Sequence, residues 1–205
     1  VVHKDLLNLV RNSSQDVTSI GSYKESIVGL QSQSPLLTTL DGQFIYSQFR
    51  EKINNIIFAT DDVFAELSSE GDLSIVKNGI GRKFYVADKR DGPTIPVIDV
   101  FFNPQKQVFC SLLSDGTVFE LGFDGKQEST IQTNPKNKYI RCLKDTIIVG
   151  EYVTYADGAD IVRRGRIDIY TEGNLKKELV LPSLRSVLLL KDDTVVFSEE
   201  NLVSK

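Results

Sequence analysis

The feature that most constrains this chain is a repeat of three apolar runs, with a glycine turn between the second run and the third. Four glycines set the register, and each precedes a run that alternates apolar with polar residues: Gly42, Gly71, Gly116 and Gly165. Glycine suits such turns because it tolerates positive φ. The period-2 alternation predicts strands, since a helix would place apolar residues at i, i+3 and i+4. The chain is therefore expected to be all-β.

Repeated units of this size predict the blades of a β-propeller. An earlier apolar run opens each unit, at residues 26–28, 55–58, 99–102 and from residue 139, and a further unit occupies residues 186–197. The spacing is close to the ~40 residues of a four-stranded blade. We expect a partial propeller of about four to five four-stranded blades from a ring of about seven, with a closed ring of about five as the alternative.

The outer strands and the start of the chain are less regular. The unit of Gly42 has almost no room for a fourth strand. In the other units, fourth strands are expected at residues 82–87, 128–132 and 175–181. Residues 5–10 and 16–20 are interpreted as the third and fourth strands of a blade that the chain enters midway. A helix over residues 4–11 is the alternative, because its apolar residues also fit one helical face.

The length and composition of the chain fit a single hydrophobic core. With 205 residues and 40% hydrophobic content, the chain can form a single β-propeller domain, or a fragment of one, over residues 1–205. It begins with Val and contains no Met, so we expect a piece of a longer chain. The sequence has no apolar run of roughly eighteen residues and no basic segment followed by an apolar run at its start. We therefore predict no membrane span.

The cysteines indicate the redox compartment of the protein. The net charge indicates which partners it can bind. Cys110 and Cys142 fall in predicted strands and are expected to be free buried thiols, with a disulfide or a reactive thiol as the alternatives. Free thiols predict a reducing, intracellular location in the cytoplasm or nucleus. The net charge of −4, with both signs interspersed, argues against a nucleic-acid binder. A local basic patch that binds nucleic acid is the alternative.

Residues 152–164 are the longest departure from the repeat. Insertions in repeat proteins fall on loops that often carry binding. Aromatic residues and arginine also dominate the hot spots of protein interfaces. We therefore predict a hairpin extension that binds a protein partner through Tyr152, Tyr155, Arg163 and Arg164. The alternative is a long loop with no partner.

The flanks of this insertion carry a resemblance to a known family. A strand ending Ile147-Ile148-Val149-Gly150 leads into the insertion, and Gly165-Arg166-Ile167 follows it. This pattern resembles the large propeller scaffolds typified by the damaged-DNA-binding subunit and the cleavage and polyadenylation factor large subunit, although Glu151 replaces the Thr that is common in that family. The resemblance implies a multi-propeller scaffold within an assembly for ubiquitin ligation or RNA processing.

Wider resemblances are to other propellers. Most of the chain resembles divergent WD-repeat-like propellers, although the Trp-Asp dipeptide and the Gly-His signature are missing because there is no Trp and the single His is His3. The segment Arg163-Arg164-Gly165 resembles the Phe-Arg-Arg-Gly motif of phosphoinositide-binding propellers, with Val162 in place of the aromatic residue. Paired arginines would grip lipid phosphates there, and an exposed basic turn is the alternative.

Catalysis has little support in the sequence. We find no phosphate loop and no Gly-x-Ser-x-Gly motif, and we predict no catalytic residue, no cofactor and no metal site. Acidic pairs at residues 61–62, 192–193 and 199–200 fit strand turns, where Asp is common, although paired carboxylates hydrolyse glycosides in some propellers.

The predicted function is a non-enzymatic protein–protein interaction scaffold, a propeller subunit of a multisubunit intracellular complex whose partners are other protein subunits. A propeller glycosidase or sugar-binding module is one alternative. A tether to nucleic acid or phosphoinositide is another, through Arg141, Arg163, Arg164, Arg166, Lys176 and Lys177.

Overall fold

The computed structural model describes the backbone of residues 17–23, 26–31, 36–39, 44–46, 53–60, 62–78, 80–87, 95–157, 160–181, 184–189 and 195–199. These residues form eighteen strands, β1 to β18, and they contain no helix that could cross a membrane. The chain divides into two compact units, residues 1–97 and 98–205, which are described one at a time. A single domain over residues 1–205 stays a prediction.

The first unit contains two antiparallel sheets whose strands follow one another in chain order. Sheet I consists of β1 Val17–Tyr23, β2 Ser26–Gln31, β3 Leu36–Thr39 and β4 Phe44–Tyr46. Sheet II consists of β5 Ile53–Thr60, β6 Val63–Ser68, β7 Leu73–Lys77 and β8 Ile80–Tyr85.

The predicted register of the first sheet was wrong by one strand. Residues 26–28 belong to the second strand, and residues 44–46 form the fourth. Residues 16–20 were assigned to an earlier blade, but β1 opens sheet I because it pairs with β2 from Tyr23↔Ser26 outward. Such a tight hairpin leaves room for four strands before residue 47. Gly42 and residues 4–11 lie outside the described residues.

Sheet II follows the predicted order of strands and turn. Residues 55–58 lie in its first strand, and the expected fourth strand at residues 82–87 corresponds to β8. Gly71 lies in the turn between β6 and β7 with φ of 87°. Strand β6 is buried along its whole length, so the two inner strands form the core of the sheet.

The second unit repeats the same plan. Sheet III consists of β9 Val97–Asn103, β10 Val108–Leu113, β11 Thr117–Gly122 and β12 Gln127–Gln132. Sheet IV consists of β13 Tyr139–Leu143, β14 Thr146–Asp157, β15 Asp160–Thr171 and β16 Asn174–Leu181. Sheet V contains β17 Leu184–Leu189 and β18 Val195–Glu199. The expected fourth strands and the last unit are thereby confirmed.

Neighbouring sheets of the second unit bury each other's faces. One apolar cluster joins Val108, Cys110, Leu112 and Val118 of sheet III to Ile140, Cys142, Ile147, Val149 and Tyr170 of sheet IV. A second cluster joins Tyr139, Ile148 and Ile167 of sheet IV to Val187 of sheet V. Sheet IV is therefore buried on both faces, as a blade between two neighbours is. The all-β fold of β-propeller blades is confirmed.

The two cysteines are joined, which corrects the prediction of free thiols. Cys110 of β10 and Cys142 of β13 form a disulfide with their Cα atoms 6.6 Å apart. Both residues belong to the cluster between sheets III and IV and are almost completely buried. The sequence shows which strands hold them, but the alignment of one blade against the next is a tertiary feature. The intracellular location rested partly on free thiols and loses that support.

Polar contacts also join sheets III and IV. The carboxylate of Asp99 accepts the N–H of Ile140 at 2.8 Å and lies 3.2 Å from the guanidinium of Arg141. Burial raises the pKa of Asp99, while these two donors act in the opposite direction. Lys106 lies 3.3 Å from Glu120 of its own sheet and 3.0 Å from Asp145 across the interface. Sheets III and IV are therefore held together by apolar, covalent and polar contacts.

Candidate functional site

Strands β14 and β15 extend beyond the rest of sheet IV. Strand β13 pairs with β14 no further than Gly150, and β16 pairs with β15 no further than Gly165. The pairing between β14 and β15 continues to Asp157↔Asp160. Residues 151–157 and 160–164 thus form a two-stranded extension, called the ribbon below. The insertion consists of paired strands, as the predicted hairpin extension required, and is not a long loop.

Gly165 was expected to form a turn that opens a strand, and this expectation was wrong. It lies inside β15, directly opposite Tyr152. The strands keep pairing past it as far as Asp157↔Asp160, and residues 158–159 lie outside the described residues. A glycine within an alternating run does not by itself distinguish a turn from a paired strand position.

The ribbon brings together the four predicted partner-binding residues. Its register pairs Val153 with Arg164, Thr154 with Arg163 and Tyr155 with Val162. Directly opposed residues share a face of an antiparallel pair, and successive residues alternate between faces. Tyr155 and Arg164 therefore lie on one face of the ribbon, and Tyr152 and Arg163 lie on the other. Their role in binding stays a prediction.

The base of the ribbon rests on an aromatic pair. The ring of Tyr152 stacks on that of Tyr139 in β13, with centroids 4.9 Å apart and planes inclined by 29°. Tyr139 is buried and Tyr152 is partly exposed. Burial raises the pKa of Tyr139 well above its usual value, and the nearby Tyr152 adds to the rise. Tyr139 thus packs within the sheet and supports the base of the ribbon.

An ion pair lies within β15 just beyond the ribbon. Arg166 donates two hydrogen bonds to Asp168, from Nε to Oδ1 at 2.9 Å and from a terminal nitrogen to Oδ2 at 2.7 Å. Asp168 is completely buried, and Glu178 lies 3.5 Å from the same guanidinium. The hydrogen bond to Asp168 raises the pKa of Arg166. The sequence analysis missed this pair, although Arg-x-Asp spacing in an alternating strand places both residues on one face.

Gly150 is required where the ribbon leaves the sheet. A Cβ at this position would overlap the Tyr139 ring and hydroxyl and the carbonyl oxygen of Arg166. The ring is buried and the carbonyl belongs to a paired strand, so neither can move aside at low cost. We expect Gly150→Ala to lower the free energy of unfolding by about 2–3 kcal/mol, measured by urea denaturation followed by circular dichroism.

Gly122→Ala provides the matched control. Gly122 also lies in a strand, but its added Cβ would first meet the side-chain oxygen of Asp124, at 3.0 Å. That side chain is exposed and can rotate away, so we expect a change within about 1 kcal/mol. Equal losses of stability in the two variants would show that Gly150 has no special packing role.

Two of the arginines proposed for a phosphate tether form ion pairs within the blades. Arg141 is paired with Asp99, and Arg166 is paired with Asp168. Arg163 and Arg164 lie in a paired strand, which corrects the expectation of a basic turn. Strand alternation puts them on opposite faces, which weighs against a joint grip on one phosphate group.

No group of His, Cys, Asp and Glu within the described part of the chain could hold a metal ion. Glu120 is buried against Lys106 and accepts a hydrogen bond from Ser129 at 2.6 Å. Asp62 lies in the turn between β5 and β6, as the turn interpretation of residues 61–62 expected. The other acidic pairs, apart from Glu199 at the end of β18, lie outside the described residues.

Comparisons with known proteins were made by sequence and by structure. No family model matches the chain, and no curated protein matches it by sequence. The resemblance to the damaged-DNA-binding and polyadenylation-factor family therefore finds no support there. Among solved structures, the chain is similar to the β-propeller domain of Cps50 (Swd1) from Myceliophteria thermophila. The identity is 10%, the TM-score is 0.49, and the match covers 80% of this chain and 73% of that chain.

Proposed function

We propose that this chain is a non-enzymatic scaffold that binds a protein partner through the ribbon. The observation that supports the proposal is the length of β14 and β15, which continue to Asp157 and Asp160 after their neighbours have ended. An isolated two-stranded ribbon is only marginally stable in water. A partner that covers the ribbon would supply the contacts that the sheet does not.

The composition of the ribbon suits a protein interface. Tyrosine and arginine are the residue types that contribute most binding energy in such interfaces. The ribbon presents one pair of them on each face, Tyr155 with Arg164 and Tyr152 with Arg163, by its register. Its base is held by the Tyr139–Tyr152 stack and by the Arg166–Asp168 ion pair. A rigid base lowers the ordering cost of binding.

Removal of the ribbon should abolish partner binding and leave the blades folded. In the test variant, residues 152–164 are replaced by a short Gly-Ser turn. The intact chain and the variant are used as bait in the same cell extract, and bound proteins are quantified by mass spectrometry. We expect the specific partner to fall at least about tenfold, because the hot-spot residues are lost together.

A second hairpin provides the control. In the control variant, the turn Asp124–Lys126 between β11 and β12 is replaced by Gly-Gly-Ser, and it should retain the partner. Circular dichroism should show the same strand content in both variants. Retention of the partner by the folded ribbon variant would contradict the proposal.

The kind of complex, the cellular process and the location of the protein are also proposals. Membership of a multisubunit complex follows from the scaffold role, and ubiquitin ligation or RNA processing follows from the family resemblance alone. An intracellular location is proposed with these scaffolds, although the Cys110–Cys142 disulfide weighs against a reducing compartment. We find no observation in the described residues that favours glycoside hydrolysis.

A further inference from the structure

We propose that the partner binds by adding a β-strand to the free edge of β15 in the ribbon, and that the added segment carries two consecutive acidic residues. The proposal rests on the proposed function and specifies how the ribbon binds. It follows from the pairing of the strands and from the charge of the edge.

Within the described residues, the edge of β15 is open along residues 160–164. In the described part of the chain, these residues pair with β14 on one side, while β16 stops at the Gly165↔Leu181 pair on the other. The residue after Leu181 is Pro182, which has no N–H to donate to a ladder. The backbone groups of β15 on this side therefore have no strand partner among the described residues. Open edges of this kind accept an extended peptide.

The positive charge of this edge favours an acidic partner segment. Arg163 and Arg164 are adjacent in β15, just beyond the last residue that β16 covers. A residue of an added strand shares a face with the residue directly opposite, and its neighbour lies on the other face. One acidic residue opposite Arg163 would thus be followed by another opposite Arg164. Arg166 cannot replace them, because Asp168 already neutralises it.

Two other arrangements fit less well. A second copy of this chain pairing antiparallel at the same edge, centred on Val162, would place Asp160 opposite Arg164 but Ile161 opposite Arg163, so one arginine of each copy would have no acidic residue opposite. The edge of β14 on the β13 side carries Glu151 and Asp157, and these residues would repel an acidic segment. The edge of β15 carries one carboxylate, Asp160, against two adjacent arginines, so it suits an acidic strand better than the edge of β14 does.

The test uses the full chain and synthetic peptides. The probe is an acetylated, amidated octapeptide, Thr-Val-Thr-Glu-Glu-Thr-Val-Thr, and its analogue has Lys-Lys in place of Glu-Glu. We expect the Glu-Glu peptide to bind at least about tenfold more tightly by isothermal titration calorimetry. We expect the double variant Arg163→Glu/Arg164→Glu to reverse this preference. Binding of the Lys-Lys peptide would also show that the variant is folded.

N-methylation of the peptide tests the backbone ladder. Alternate amides of an added strand face the edge, so methylating one alternating set should weaken binding by about tenfold or more and methylating the other set should change it by less than about threefold. Equal effects of both sets, absence of binding, or an unchanged preference in the charge-reversed variant would each overturn the strand-addition proposal. Loss of the cellular partner on ribbon removal would still support the scaffold function, so the two proposals fail separately.

Discussion

Replacing Arg166 with leucine is expected to lower the free energy of unfolding by about 3–5 kcal/mol, because the variant leaves a buried carboxylate without its partner. Asp168 is completely buried, and both of its oxygens accept hydrogen bonds from Arg166. Glu178 also lies near the guanidinium, but it is half exposed and contributes little. Urea denaturation of the two proteins measures the difference.

The double variant Arg166→Leu/Asp168→Leu separates the ion pair from packing. Replacement of a whole buried ion pair by apolar side chains is often tolerated, whereas removal of one partner is not. We expect the double variant to be more stable than Arg166→Leu alone. If the double variant is the less stable of the two, packing of the arginine stem explains the loss and the ion-pair account is wrong.

Loss of the disulfide should produce the second large effect. Cys110 and Cys142 are separated by 32 residues, and closing a loop of that length is worth about 3–4 kcal/mol in the chain-entropy model. We expect the oxidised chain to lose about this much stability on reduction. The variant Cys110→Ala/Cys142→Ala should be equally destabilised or more so, because it also loses buried sulfur atoms.

Two measurements check this prediction. Thiol titration of the unfolded chain, without reductant, should detect no free thiol. The stability of the double alanine variant should not change with reductant, which separates the disulfide from other effects of the reagent. Two titratable thiols in the purified chain would contradict the disulfide and restore the prediction of free buried cysteines.

The sequence predicted the blades well because their signals are local. Alternating runs and the turns at Gly71 and Gly116 belong to single hairpins, and both turns were confirmed. The register of sheet I was wrong because the pattern repeats strand by strand and does not mark which strand comes first. The disulfide was missed because it depends on the alignment of two blades, which no period within one blade reports.

The candidate site was predicted in part. The excess length of residues 152–164 indicated an extension, but their pairing decided between a ribbon and a loop. Gly165 was wrongly assigned to a turn, because glycine also occupies paired strand positions opposite a large residue such as Tyr152. The supporting contacts of Tyr139 and Gly150 join residues of different strands. Their close approach follows from the β13–β14 register, which the sequence does not show.

The scaffold role of the ribbon is tested most directly by photo-crosslinking within cells. A benzophenone amino acid is placed at Tyr155 in the ribbon, or at Leu175 in β16, which is 52% exposed and lies at the end of that strand remote from the ribbon. We predict one discrete crosslinked protein from the Tyr155 position and none from Leu175. No crosslink at Tyr155, or the same products from both positions, would contradict a partner site on the ribbon.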